Sequence, residues 1–307
     1  MKRWTAADIP PQNGRVAVVT GTGGLGLEDA LALGRAGADV IIAGRNPRKG
    51  AEAVAKVRSE VPGVKVQFGE IDLANLKSVA NFVERLKQQR SHIDLLINNA
   101  GVMVPPQRKQ TVDGFELQLG TNYLGHFALT MGLMPLLREG RESRVVTLSS
   151  VAVRNGHINF ADLQYMSKYV PMDAYSQSKL ACLMFAFELQ RRSLAGNWGV
   201  TSIAAHPGIS RTDLLHNAPG RMSLQGLVRT YLWFLFQPAA QGALPTLYAA
   251  TAPGAEGGGY YGPNGLSETR GYPKPASIPP QALDAAASAR LWALSEEMTS
   301  LRVAEDA

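Results

Sequence analysis

Short apolar runs alternate with longer stretches of helical spacing along the first 205 residues of the chain. The runs show no regular polar position on every second residue, which is typical of strands buried on both faces of a sheet. We predict strands at residues 16–20, 40–43, 64–68, 93–97, 145–148 and 200–205. We predict helices at residues 25–35, 48–60, 76–89, 115–137 and 174–193.

The regular alternation of strand and helix predicts an α/β fold with a doubly wound parallel sheet, that is, a three-layer α/β/α Rossmann fold. A chain of 307 residues suits one large domain, so we treat residues 1–307 as a single unit. The alternation of predicted strands and helices ends after Pro207. Since ligand clefts open at the carboxyl ends of the strands, we expect residues 208–238 to form a substrate lid.

Residues 253–307 differ from the preceding part of the chain in composition and in hydrophobic pattern. Residues 253–280 are rich in glycine and proline, which predicts a loop or a short edge strand. Helical spacing returns at residues 281–301. We therefore expect residues 253–307 to form a C-terminal loop and helix extension.

Composition and charge exclude several classes of protein. Apolar residues make up 45% of the chain and charged residues 18%, which gives enough material for a full core and too little charge for a disordered protein. The single cysteine, Cys182, excludes an intrachain disulfide and a zinc site built on several cysteines. No His, Asp and Glu residues follow metal-ligand spacing, so we predict no metal.

The net charge of +6 is spread along the chain, so we expect no nucleic-acid partner. The first 14 residues lack the apolar core of a signal peptide, and no stretch reaches the ~18 apolar residues of a transmembrane helix. We therefore predict no transmembrane segment and a cytoplasmic location.

A glycine-rich turn lies between the first predicted strand and the first predicted helix. Its GxGxxG pattern lets the backbone approach a pyrophosphate, which then faces the free N–H groups of the helix N-terminus. About 20 residues further on, NAD-binding folds place an acidic residue, whereas this chain has Arg45, which can pair with a 2′-phosphate. We predict a dinucleotide site that prefers NADP(H) over NAD(H), unless Arg45 is merely a solvated turn residue. The turn residues assigned to the cofactor are Gly21, Gly23, Gly24, Leu25 and Gly26.

Further motifs follow in a fixed order: NNAG at 98–101, TNYLGHF at 121–127, SS at 149–150, YSQSK at 175–179 and HPG at 206–208. Together they resemble the short-chain dehydrogenase/reductase family over residues 14–270, and most of all its retinol-dehydrogenase-like branch. The resemblance implies the three-layer fold above, usually with seven strands, and subunits that pair as dimers or tetramers. One departure is clear: two residues separate Gly21 from Gly24, where the family usually has three.

The resemblance also implies further contacts with the cofactor. Asp72 should hydrogen-bond the adenine, the NNAG loop should flank the adenosine ribose, and the segment after the sixth strand should frame the nicotinamide carboxamide. The residues assigned in this way are Asp72, Leu73, Asn99, Ala100, Gly101, Tyr175, Lys179, Pro207, Gly208, Ile209 and Thr212.

Tyr175 and Lys179 lie four residues apart on a predicted helix and therefore share one face. A phenol is a poor base at neutral pH, and a nearby ammonium favours its phenolate form. Such a pair suits proton exchange with an alcohol or carbonyl oxygen. Ser150, at the carboxyl edge of a strand, can polarise the carbonyl, with Ser149 as the alternative if the register differs. By resemblance, Asn122 holds a water near the lysine and completes a proton relay.

These features predict an NADPH-dependent oxidoreductase that interconverts a hydrophobic ketone or aldehyde and its alcohol. Two alternatives stay open: a catalytically silent NADP-sensing regulatory protein, and a nucleotide-sugar epimerase or dehydratase with the same pair. The aromatic residues of the predicted lid allow a substrate pocket, a subunit contact or a peripheral membrane contact; they are Tyr231, Trp233, Phe234 and Phe236. His126 is interpreted as a packing or hydrogen-bonded residue, and His206 as a strand-end residue near the cofactor.

Overall fold

The computed structural model describes residues 3–210 and 237–302. These residues build one eight-stranded sheet in the order β3-β2-β1-β4-β5-β6-β7-β8. All neighbouring strands are parallel except β7 and β8, which are antiparallel. The strands are β1 (Val16–Thr20), β2 (Asp39–Gly44), β3 (Val66–Glu70), β4 (Leu95–Asn98), β5 (Arg144–Leu148), β6 (Thr201–Ala205), β7 (Tyr260–Gly265) and β8 (Arg270–Pro275).

Helices cover both faces of this sheet. The α-helices are α1 (Gly24–Arg35), α2 (Pro47–Glu60), α3 (Leu76–Gln89), α4 (Gly125–Arg138), α5 (Pro171–Ala195), α6 (Ala239–Thr251) and α7 (Ala285–Thr299). Short 3-10 helices occupy Ala6–Asp8, Val151–Asn155 and Pro280–Leu283, and a π-helical turn occupies Leu119–Leu124. None of the helices within residues 3–210 and 237–302 combines the length and apolar character needed to cross a bilayer.

Two apolar clusters, one on each face, form the core. Val16 and Val18 belong to one cluster, whereas Ala17 and Val19 belong to the other. Because successive side chains of a strand point to opposite faces, this division shows that β1 is buried on both sides. The uninterrupted apolar runs in the sequence follow from that burial, and the predicted three-layer α/β fold is confirmed.

The C-terminal part of the chain differs from the sequence-based expectation. Residues 253–280 contain two strands, of which β7 lies inside the sheet and only β8 forms its edge. Helix α6 was missed, because it is buried over most of its surface and so lacks an amphipathic period. The sheet has eight strands instead of the seven expected.

The predicted lid falls almost entirely outside the described residues. Thr212 and the four aromatic residues between 231 and 236 are among those not described. The lid therefore stays a prediction.

Candidate active site

A cavity of about 330 Å³ opens at the carboxyl ends of β1, β2 and β4. In the order β3-β2-β1-β4-β5, strands are added toward one edge of the sheet from β1 to β3 and toward the other edge from β4 onward. Ligands of open α/β sheets bind at this switch point, which lies between β1 and β4. The residues predicted to bind the cofactor that line this cavity are Gly21, Gly23, Gly24, Leu25, Arg45, Asp72, Leu73, Asn99, Ala100 and Gly101. Lining residues that the sequence analysis did not assign are Thr22, Ala43, Gly44, Asn46, Lys49, Ile71, Val102 and Thr121.

The glycine turn depends on residues without a side chain. Gly21 has a φ of +109° and Gly24 a φ of +53°, both in the region that glycine adopts most easily. A Cβ on Gly26 would lie 2.6 Å from the Gly21 carbonyl oxygen and 2.7 Å from Nδ2 of Asn99. Gly26 does not line the cavity; it allows α1 to approach the turn and the loop after β4.

One end of the cavity is cationic. Arg45 and Lys49 line it, and Arg45 is exposed and forms no hydrogen bond or ion pair with any described residue. Arg48 lies outside the lining and pairs with Glu52 on the surface, 3.6 Å away. Asp72 is the one carboxylate among the described lining residues, and its Oδ1 already accepts a hydrogen bond from the amide of Ala74.

Lys179 of the predicted catalytic pair lies near Gly101 in the cavity wall, and neither Lys179 nor Tyr175 lines the cavity itself. Tyr175 and Lys179 lie one turn apart on α5, 7% and 5% exposed. Lys179 Nζ donates to the Leu148 carbonyl at the end of β5 over 3.0 Å. A Cβ placed on Gly101, which lines the cavity, would lie 3.7 Å from Lys179 Nζ. An ammonium has three N–H donors, so two remain for a cofactor ribose, the tyrosine or water.

Asn122 belongs to the π-helical turn that precedes α4, a kind of distortion frequent at functional sites. Its Oδ1 accepts from the Val102 amide at 2.7 Å, and its Nδ2 donates to the Val102 carbonyl at 3.0 Å and to Ser178 Oγ at 2.9 Å. Both amide hydrogens are thus engaged. The water predicted at Asn122 therefore has the second lone pair of Oδ1 as its side-chain acceptor.

The two serines after β5 have different roles in the fold. Ser149 is buried and donates its hydroxyl to the Lys179 carbonyl over 2.8 Å. Ser150 is half-buried, and its Oγ accepts from the Ala152 amide at 3.2 Å as the cap of a 3-10 helix. Its hydroxyl hydrogen has no acceptor among the described residues. Of the two, Ser150 is the one free to donate to a substrate oxygen.

The segment after β6 does not line the cavity. Gly208 has a φ of +64° and its amide donates to His206 Nδ1, while the Ile209 amide donates to the Thr269 carbonyl over 2.8 Å. The carbonyl of Pro207 accepts from Gln237 Nε2 at 2.6 Å. Their predicted contact with the nicotinamide remains a prediction.

Sequence reasoning missed a buried charged cluster behind this segment. Glu268 is 7% exposed and lies 2.9 Å from an Arg154 nitrogen and 3.4 Å from His206 Nε2. The hydrogen bond from His206, with those from Ser277, lowers the pKa of Glu268 to about 2. Glu268 follows a glycine-rich stretch with no recognisable motif, so only the tertiary structure reveals it.

Comparisons with known proteins agree with this arrangement. The family model for short chain dehydrogenase matches residues 15–222. The mouse (Mus musculus) polyprenol dehydrogenase is 44% identical over 259 residues, which cover 82% of this chain and 76% of that protein. Retinol dehydrogenase 13 of the mouse is 39% identical over 304 residues, covering 97% of this chain and 86% of that protein.

A solved structure, described as a putative uncharacterized protein from Mycobacterium paratuberculosis, is 41% identical and superposes with a TM-score of 0.82. The match covers 98% of this chain and 99% of that one. Motif order, fold and relatives agree, and the chain belongs to the short-chain dehydrogenase/reductase family, in its retinol-dehydrogenase-like branch.

Proposed function

We propose that this oxidoreductase uses NADP(H) to interconvert a hydrophobic alcohol and its aldehyde or ketone. The observation that carries the proposal is the buried Tyr175–Lys179 pair on α5, whose lysine lies near Gly101 in the wall of the dinucleotide-type cavity. Burial limits the access of bulk water to the pair, and the lysine keeps two N–H groups beyond its bond to the Leu148 carbonyl.

The residues divide the chemistry between them. A bound nicotinamide supplies or accepts the hydride. Tyr175 gives the proton to the substrate oxygen in reduction and takes it back in oxidation, while Ser150 donates a hydrogen bond that stabilises negative charge on that oxygen. Lys179 replenishes the tyrosine through its remaining N–H groups, with Asn122 holding the water that leads to solvent.

The preference for NADP(H) rests on the charge at the far end of the cavity. Arg45 is free of described partners and Lys49 lies beside it, so a 2′-phosphate would gain two cations without breaking an existing ion pair. The neighbouring residues Gly44 and Asn46 offer no carboxylate to a ribose 2′-hydroxyl.

Isoprenoid compounds are the substrates that we propose to test first. The relatives named above act, by their names, on polyprenol and retinol, which are alcohols with long apolar chains. The family's subunit pairing, the membrane contact and the cytoplasmic location stay predictions.

The test is a spectrophotometric assay with NADPH and NADH against retinal, geranial and a small polar aldehyde. We expect turnover of the isoprenoid aldehydes with NADPH, a weaker rate with NADH, and loss of turnover in Tyr175→Phe with NADPH binding retained. Tyr248→Phe is the matched control, because its hydroxyl forms no described hydrogen bond and it packs on Trp4 away from the cavity. Tight NADPH binding without turnover of any aldehyde would overturn the proposal in favour of an NADP-sensing protein.

A further inference from the structure

We propose that His126 is a positioning residue that links the strand end beneath the cofactor cavity to the Asn122 turn of the catalytic cluster. The inference rests on the proposed function, because it assigns a role within that site. It is carried by two hydrogen bonds of one buried imidazole, each of which leads to a different half of the site.

His126 lies one helical turn after Asn122 and is 2% exposed. Its Nδ1 is 2.9 Å from the backbone oxygen of Asn122, and its Nε2 is 2.9 Å from Thr20 Oγ1. The imidazole therefore spans the distance between the last residue of β1 and the π-helical turn.

Thr20, the last residue of β1, forms hydrogen bonds to the loop after β4 that lines the cofactor cavity. Its hydroxyl oxygen accepts from the backbone amides of Asn99 and Ala100 at 2.9 and 3.0 Å. Its backbone carbonyl accepts from Asn99 Nδ2 at 2.6 Å. Because Asn99 and Ala100 line the cavity, the position of the Thr20 hydroxyl sets the wall against which a cofactor ribose would rest.

The donors and acceptors determine the tautomer of the imidazole. A backbone carbonyl cannot donate, so Nδ1 must carry a hydrogen to bond with Asn122. The Thr20 oxygen already accepts two amide hydrogens, which fills both lone pairs. In the neutral ring Nε2 carries no hydrogen and accepts from the Thr20 hydroxyl at 2.9 Å, and the same hydroxyl also lies 3.2 Å from the Ile97 carbonyl. The neutral Nδ1–H form satisfies every group, whereas a cation would place an N–H against an oxygen with no free lone pair.

The surroundings agree with a neutral ring. Burial, with the nearby charge of Lys179, lowers the pKa of His126 to about 4. The Asn122 carbonyl also accepts from Cys182 Sγ at 3.2 Å, so the turn is held from α5 as well. Among the described residues, the hydrogen bonds of His126 are the only side-chain hydrogen bonds that connect this turn to β1.

Two substitutions of His126 by amide side chains each keep one of its two hydrogen bonds and remove the other. In His126→Asn the amide nitrogen takes the place of Nδ1 and keeps the bond to Asn122, but nothing reaches Thr20. In His126→Gln the amide oxygen takes the place of Nε2 and accepts from Thr20, but the bond to Asn122 is lost. A hydrogen bond of ordinary strength corresponds to about fivefold in an equilibrium or rate constant.

The experiment measures the NADPH dissociation constant by fluorescence and kcat with the best aldehyde of the panel. We expect His126→Asn to weaken NADPH binding about fivefold with kcat within twofold, and His126→Gln to lower kcat about fivefold with binding within twofold. Thr20→Val should weaken NADPH binding at least as much as His126→Asn, because it also removes the acceptor of the Asn99 and Ala100 amides, and Thr20→Ser, which keeps the hydroxyl, should retain wild-type binding. Equal changes of both constants in both His126 variants, or no change in either, would overturn the inference.

A second measurement does not depend on turnover. The chain has five histidines, and the ¹⁵N spectrum of wild type against His126→Asn identifies the signals of His126. We expect an Nδ1–H tautomer that stays neutral from pH 8 to pH 5.5. An Nε2–H tautomer, or protonation near pH 6.5, would reject the link even in an active enzyme. If the spectrum shows the neutral Nδ1–H tautomer but the protein turns over no aldehyde, the proposed function is overturned and the His126 link is not.

Discussion

Asp29 offers the sharpest test of the energetics of this fold. The residue is fully buried on α1, and neither carboxyl oxygen has a hydrogen-bond partner within residues 3–210 and 237–302. Burial, with the nearby charge of Glu28, raises the pKa of Asp29 well above its usual value. We expect Asp29→Leu, which has the same branched shape, to increase the free energy of unfolding by about 1–3 kcal/mol at pH 7, the cost of a buried unsatisfied polar group.

The pH dependence identifies the cause. A carboxyl whose pKa is raised in the folded state stabilises the protein fully below its unfolded pKa of about 3.9, and this stability is lost as the pH rises. The advantage of Asp29→Leu should therefore grow between pH 4.5 and pH 8, by no more than about 1.4 kcal/mol per pH unit. Other titrating groups cancel in the difference between the two proteins.

Urea unfolding followed by tryptophan fluorescence at several pH values provides the measurement. Glu52→Gln is the control, since it removes an exposed carboxylate on α2 that pairs with Arg48 on the surface and does not act on Asp29. A difference between Asp29→Leu and wild type that does not change with pH would refute the reasoning. A loss of stability at pH 7 would refute it as well.

Three further predictions follow from the described contacts. Arg45→Ala should weaken NADPH binding at least about tenfold and NADH binding little, because it removes a charge-assisted hydrogen bond worth ~1.5–3 kcal/mol. Equal losses of affinity for both nucleotides in a binding titration would contradict this prediction. Trp292→Ala should destabilise the fold by about 3–5 kcal/mol, because the indole is 2% exposed and stacks on Phe185, and a melting curve unchanged from wild type would disprove it. The folded state lowers the pKa of His126 from 6.5 to about 4, which corresponds to about 3 kcal/mol of folding stability. This stability is present above pH 6.5 and is lost as the pH falls to 4. The free energy of unfolding should therefore fall less steeply with decreasing pH in His126→Asn than in wild type.

The sequence predicts best where a local pattern and burial agree. β1 and α3 begin and end at the predicted residues, because a run of valines buried on both faces and a strongly amphipathic helix are each unambiguous. Helix α6 was missed because tertiary burial on nearly all sides leaves no polar face to mark its period.

The same contrast holds for the site. Arg45 and the glycine turn follow each other at a spacing set by one strand–helix–strand unit, so their meeting at one cavity is local in origin. The hydrogen bond from Lys179 to the Leu148 carbonyl and the one from Arg154 to Glu268 join residues far apart in the chain. No periodicity or spacing encodes such pairs, and only the packed sheet brings them together.

Helix α7 closes the aromatic cluster of α4 and α5 from the far end of the chain. Trp292 lies 5.1 Å from the ring of Phe127 and under the guanidinium of Arg192. During synthesis, these rings stay uncovered until residues 285–299 have left the ribosome. A polypeptide truncated shortly before residue 285 would therefore expose apolar rings and become a substrate for chaperones and proteases.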